Sequence, residues 1–276
     1  MGLKRDESGR LHIESPLMAE SLMDKALLEK TEGEHVFRPL SKLNVIKLGG
    51  QSIIDRGSSV VLPLLEEIIA ARKENQLLVM TGGGTRSRHA YAIALDLGMP
   101  TGVLAKLGAS ISEQNALMIS ILLAPFDGIK VGHDDLVKLP SHLALGAIPV
   151  MHAMPPYGLW EEPALRGRIP SHRTDVGAFL TAEVLGAKSC ILVKDERGLM
   201  TADPKKDPSV KHISDIEVNE LIKLDLDDLP VERSMLKSLS RARSVRDVLL
   251  VNGLERGALT QAIRGENPGT RIYRDA

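Results

Sequence analysis

The chain has 276 residues, 35 Lys and Arg against 36 Asp and Glu, a formal net charge of −1, and 43% hydrophobic residues. That is ordinary globular composition with enough apolar material for one large core, which excludes wholesale disorder. Balanced charge and only 3% aromatic residues leave no electrostatic footprint for nucleic acid or an anionic membrane, and no stacking surface for single strands.

Residues 1–42 read as an N-terminal arm. Met1 to Arg10 mixes Lys4 and Arg5 with Asp6 and Glu7, so it lacks the apolar core of a signal peptide. Helical spacing of Leu17, Met18, Leu22, Met23, Ala26 and Leu27 predicts an amphipathic helix, making the arm partly helical. Residues 43–276 read as an α/β domain. It opens with an apolar strand over 43–48 that ends in Gly49-Gly50. A helix over 60–74 follows, with Leu64, Leu65, Ile68 and Ile69 on its apolar face. A second strand over 77–81 runs into Gly82-Gly83-Gly84, and further strands are expected over 128–131, 147–152, 189–193 and 248–251. No apolar run reaches the ~20 residues of a membrane span. The single cysteine, Cys190, lies in one of these apolar strands, excludes an intrachain disulfide and fits a reducing cytoplasm. Strands alternating with helical stretches predict a mostly parallel sheet covered on both faces, a three-layer α/β sandwich. Two segments interrupt the rhythm. One spans 154–168, with three prolines and the only tryptophan; the other spans 201–208. Tyr157 and Trp160 in the first read as packing anchors, and loops this long within a domain are usually functional.

Both glycine clusters sit at strand carboxyl ends, where ligands of parallel sheets collect. Lys47, Gly49, Gly50 and Ser52 combine a cation, accessible N–H groups and a hydroxyl, the chemistry of a phosphate site. Gly82, Gly83 and Gly84 followed by Arg86 and Arg88 form a second candidate anion nest with guanidinium donors. Each cluster alone could equally be a tight strand-to-helix turn. Neither matches the P-loop pattern or the dinucleotide fingerprint.

Taken in order, Lys47-Leu-Gly-Gly-Gln-Ser52, Gly82-Gly-Gly84, Thr174-Asp175 before a helix, Gly198-Leu-Met-Thr-Ala-Asp-Pro204 and Gly269-Thr270 resemble the amino acid kinase family, with bacterial uridylate kinases as its nearest enzymes. The resemblance implies an amino acid kinase-like fold that binds ATP and Mg²⁺. It assigns Lys47 to the transferred phosphoryl group and Asp175 to organising that lysine or the Mg²⁺ shell. Gly49, Gly50 and Ser52 become the first phosphate loop, and Lys194, Asp195, Met200, Asp203 and Pro204 the ATP ribose and adenine segment. Gly82, Gly83 and Gly84 become the acceptor loop.

Departures fall on the acceptor half. No aspartate occurs between Leu104 and Pro125, and Ile169-Pro-Ser-His-Arg-Thr-Asp175 carries a His-Arg pair where the kinases have aromatics. Here the chain is more similar to the molybdenum-storing members of the superfamily, of α-subunit type. That resemblance implies storage of molybdate or tungstate as polyoxometalate clusters, ATP hydrolysis coupled to loading, and a paralogous β partner in an α3β3 hexamer. Oxyanion pockets need His, Lys, Arg, Ser and N–H donors, which singles out His172 near the phosphate site and His133, His142 and His152 as cluster candidates. Each of those histidines alone is compatible with ordinary strand-end or helix hydrogen bonding, and no zinc-type spacing is present. The alternative is a kinase for a nucleoside monophosphate or another small acceptor.

Overall fold

A computed structural model describes residues 4–5, 7–9, 11–12, 36–163, 168–201 and 210–275. The chain divides into Met1–Phe37 and Arg38–Ala276. In the first unit Lys4–Arg5 pairs antiparallel with Leu11–His12. The helix expected over 17–27 lies outside the described residues.

The second unit is built on an eight-stranded sheet. Its first five strands are β1 (Leu43–Leu48), β2 (Gln76–Thr81), β3 (Gly128–Lys130), β4 (Ile148–His152) and β5 (Ser189–Lys194). A small separate antiparallel pair follows, β6 (Leu199–Met200) with β7 (His212–Ile213). β8 (Asp215–Glu217), β9 (Asp247–Asn252) and β10 (Thr270–Tyr273) complete the sheet in the order β8-β10-β9-β5-β1-β2-β4-β3. Every neighbouring pair is parallel except β9 with β10.

The helices are α1 (Ser58–Ala71), α2 (Gly84–Asp96), α3 (Thr101–Leu123), α4 (Leu139–Ala144), α5 (Thr174–Leu185), α6 (Val218–Leu224), α7 (Arg233–Leu239) and α8 (Ala258–Arg264). Alternation along each strand splits the core in two. Val45, Met80 and Leu192 face α5, α6 and α7, while Ile46, Val79 and Val193 face α1, α3 and α8. This is the expected three-layer sandwich. Cys190 is buried on the α5 side.

One helix comes near the length and composition of a membrane span. Within residues 101–126, α3 with the short turn after it, an 18-residue window reaches a mean hydropathy of 1.3. Lys106, Glu113, Gln114 and Asn115 break the helix into shorter apolar runs. Ala116, Ile119 and Leu123 of this helix pack into the domain core, so its hydrophobicity serves one side of the sandwich.

Candidate functional site

The carboxyl ends of β1, β2 and β5 surround a cleft of about 720 Å³. β1 sits where the strand order turns, with β2 on one side and β5 on the other, so the loops leaving them splay apart and open the crevice. Register then positions the charges. Lys47 pairs with Leu192 across β1 and β5, and Lys194 is two residues further along the same face. Both lysines therefore point toward the α5 layer, whose first turn supplies Asp175.

These three side chains form one buried cluster. Lys47 Nζ donates to Asp175 Oδ1 at 2.8 Å, and Lys194 Nζ donates to Oδ1 at 3.0 Å and Oδ2 at 2.8 Å. Burial alone would raise the Asp175 carboxyl, but Lys194 and Lys47 outweigh it and hold the group well below the usual carboxylate range. Burial pushes Lys194 down, partly offset by Asp175. Two cations share one anion, so the cluster presents net positive charge to the cleft.

Glu232, the residue before α7, fixes the other end of Asp175. Its carboxylate accepts the N–H groups of Arg173 at 3.0 Å, Asp175 at 3.2 Å and Val176 at 3.1 Å, capping the α5 N-terminus. Burial, and then the negative Asp175, push Glu232 above its ordinary value, while Arg173 pulls it back. Sequence reasoning passed over Glu232, because a glutamate before a short helix carries no signal until the fold brings it beneath Asp175.

The two glycine loops touch. A side chain on Gly50 would run into the Gly84 backbone, and Gly84 has a φ of +74°, so this crossing needs glycine on both sides. Asp55 completes it. Its Oδ2 accepts the Thr85 N–H at 2.6 Å, placing a carboxylate of this chain at the N-terminus of α2, where an anion nest is expected. Ser87 Oγ is buried beside Gly83 without a hydrogen-bond partner. Arg88 and Tyr91 also line the cleft, and burial pushes the Tyr91 phenol up to about 12.

Lys47, Gly49, Gly50, Ser52, Gly82, Gly83, Gly84, Arg88, Asp175, Lys194 and Asp195 are thus brought to one cleft. Other candidates are not. Arg86 turns toward α3 and donates to Gln114 at 3.0 Å and to Asn115. His172 is held by Glu161, with Nδ1 3.0 Å from Oε1, and stands edge-on to Tyr157, off the cleft lining. Met200 sits in β6, away from the lining residues. Asp203 and Pro204 lie outside the described residues. Trp160, expected as a packing anchor, is 85% exposed, because the turn beneath it seats through the backbones of Gly158 and Leu159 against α3.

The histidine candidates separate as well. His152 ends β4 on the α3 side of the sheet, opposite the Lys47 cluster, and its ring stands edge-on to His133 with centroids 4.6 Å apart. Burial, followed by His133, pushes His152 down to about 4, and its buried Nδ1 has no hydrogen-bond partner. Burial also lowers His133. Lys130, paired with Glu113 at 2.6 Å, stands near them. His142 lies apart on α4.

These residues fit a phosphate-bearing nucleotide: two buried ammonium groups face glycine loops whose backbone would collide with any added side chain. No group of three or more His, Cys, Asp or Glu able to hold a metal ion occurs among the described residues. A divalent cation here would therefore be held mainly by phosphate oxygens and water.

An α/β sandwich with paired glycine loops and a Lys–Asp–Lys cluster at the sheet's carboxyl edge is the framework of a known class, and the chain belongs to the amino acid kinase family, whose profile matches residues 42–245. Within it, the chain is 48% identical over 260 residues to the molybdenum storage protein subunit beta of Azotobacter vinelandii, covering 94% of this chain and 96% of the relative. It is 29% identical over 234 residues to a uridylate kinase of Thermofilum pendens, covering 81% and 94%. Among solved structures, uridylate kinase from Archaeoglobus fulgidus superimposes with a TM-score of 0.65 at 22% identity, covering 83% of this chain and 99% of that one. UMP kinase from Bacillus anthracis gives 0.67 at 20%, covering 86% and 98%. The structures speak for the fold alone. The storage-protein relative is a β-type subunit, whereas the motifs pointed to the α type.

Proposed function

We propose that this chain is a β-type subunit of a cytoplasmic hetero-oligomer that stores molybdate or tungstate as polyoxometalate clusters, with ATP and Mg²⁺ bound in the Lys47 cleft. The observation that carries this reading is the 48% identity, across 94% of the chain, to a protein named as a molybdenum storage subunit. With the β type assigned here, the paralogous partner becomes the α type in the α3β3 arrangement.

A surface feature supports an assembly. Leu117, Met118, Ile121 and Leu122 form one exposed stripe at helical spacing along α3, the face turned away from the core. A helix apolar on both sides is one that packs on both sides.

In the cleft, Lys47 and Lys194 would hold phosphate oxygens, with Gly49, Gly50 and Ser52 supplying N–H and hydroxyl donors. A bound Mg-nucleotide supplies a transferable phosphoryl group whose hydrolysis offsets the cost of concentrating oxyanions. Asp175 keeps the two ammonium groups together and oriented, and Glu232 keeps Asp175 in place. Cargo contacts are assigned to His133 and His152 with Lys130 nearby, and to His142 on the neighbouring helix.

The kinase alternative draws on the same Lys–Asp–Lys cluster and on the uridylate kinase relatives. Its transition state would be stabilised by Lys47 and the loop N–H groups. ADP release separates the two. Stimulation by molybdate and not by uridylate supports storage; turnover that requires uridylate assigns the chain to the kinases.

A further inference from the structure

The acceptor side of the cleft carries two observations that pull against each other. The N-terminus of the 13-residue helix α2 is a seat for negative charge, since its first N–H groups have no partner within the helix. Ser87 sits in that first turn, 6% exposed, with an Oγ that lacks a hydrogen-bond partner and lies against Gly83 on the cleft wall. Arg88 adds a guanidinium to the same wall. These groups are the donors a tetrahedral dianion needs. Yet the Thr85 N–H already donates to Asp55 at 2.6 Å, and the two Asp55 oxygens lie 2.6 and 2.7 Å from the point where a Gly84 side chain would begin. The carboxylate straddles the seat.

Asp55 is tied to the other half of the cleft too. It belongs to the single turn Ile54–Arg56, directly after the first glycine loop. Its neighbour Arg56 pairs with Asp195 at 2.6 Å and donates to the Ser52 carbonyl at 2.8 Å. One turn thus spans from the nucleotide side to the acceptor side.

We infer that Asp55 is a specificity-determining stand-in for the acceptor anion: it occupies the α2 seat, and a tetrahedral oxyanion binds between Gly83, Thr85, Ser87 and Arg88 only by displacing it. The inference rests on the reading that this cleft handles oxyanions. Its consequence is selectivity by charge. A singly charged or weakly bound anion does not outcompete a tethered carboxylate, whereas a dianion with four acceptor oxygens reaches Ser87 and Arg88, which Asp55 leaves unused.

The test is calorimetric titration of the full chain with tungstate, inorganic phosphate and uridylate, in wild type, Asp55→Asn and Ser87→Ala, beside thermal unfolding without ligand. Removing the competing charge should tighten tungstate and phosphate binding about tenfold in Asp55→Asn, the size of a favourable charge at a helix N-terminus. Ser87→Ala should weaken both several-fold. If Asp55→Asn binds no tighter and only melts earlier, Asp55 is a helix cap and the inference fails. Tight binding of uridylate but not of the free oxyanions also overturns it, since the seat then serves a phosphate ester. Should Asp55→Asn not fold, tungsten anomalous scattering from wild-type crystals decides. A peak against Ser87 with Asp55 turned away supports displacement; none at that loop refutes it. Failure of bulk molybdenum storage with this competition intact would remove the storage reading and leave Asp55's role standing.

Discussion

Asp175→Asn removes the charge that holds two buried lysines together. The carboxylate accepts three hydrogen bonds of 2.8–3.0 Å from Lys47 and Lys194, whose side chains are 4% and 15% exposed. Taking one partner from a buried ion pair costs about 3–5 kcal/mol, because the remaining charge stays desolvated. Asparagine keeps one acceptor oxygen, so the lower end, about 3 kcal/mol, is expected. The pH dependence has a definite sign. The folded Asp175 value is depressed, so its contribution is present above the unfolded carboxylate value near ~4 and is lost as pH falls through the folded one. Urea unfolding should therefore show a constant gap between wild type and Asp175→Asn across neutral pH, narrowing in acid below about pH 4. A cycle with Lys47→Met should give a coupling of at least about 1 kcal/mol. An Asp175→Asn protein as stable as wild type at neutral pH would refute the cluster's role, as would a gap that widens in acid.

His152 is held neutral by burial, with a folded value pushed down to about 4, so the stability it contributes is present above the unfolded histidine value and is lost as pH falls from there toward 4. His152→Phe should flatten wild-type stability between about pH 6.5 and 4, a change of at most about 3 kcal/mol measured by denaturant titration; an unchanged profile contradicts it. Ile121→Glu places a charge in the exposed α3 stripe and should dissociate the assembly, read by sedimentation velocity, without lowering the melting temperature of the dissociated chain. An intact assembly would move the interface elsewhere.

The sheet was legible because its central strands are buried on both faces and read as continuous apolar runs, as in Leu77 to Met80. β10 and β8 were missed because they are short, and the exposed Arg271 and Asp215 interrupt their pattern. Lys47, Asp175 and the glycine loops were legible from motif order. Their wiring was not. Lys194, expected at the nucleotide, lines the same cleft and is in addition bound to Asp175, a pairing the β1–β5 register sets up. Asp55 and Glu232 were invisible, since each carboxylate accepts N–H groups from the first turn of a helix distant in sequence. Glu67 does the same at α8, accepting N–H groups from residues 257 and 260, and Glu183 ties down the loop before β9 through the N–H groups of 243–245. Capping across long sequence separations leaves no local signature. Arg86 and His172 have the chemistry and the sequence position of anion contacts, but Asn115 and Glu161 hold them instead.

Molybdenum content tests the central claim most directly. The chain is purified alone and with its α-type partner, incubated with molybdate with and without Mg-ATP, dialysed, and analysed by elemental mass spectrometry, with Lys47→Ala in parallel. Storage predicts many molybdenum atoms per chain, appearing only with the nucleotide and lost in Lys47→Ala. No retained molybdenum under any condition, with ADP release that depends on a nucleoside monophosphate, would contradict storage and make the cleft a kinase site.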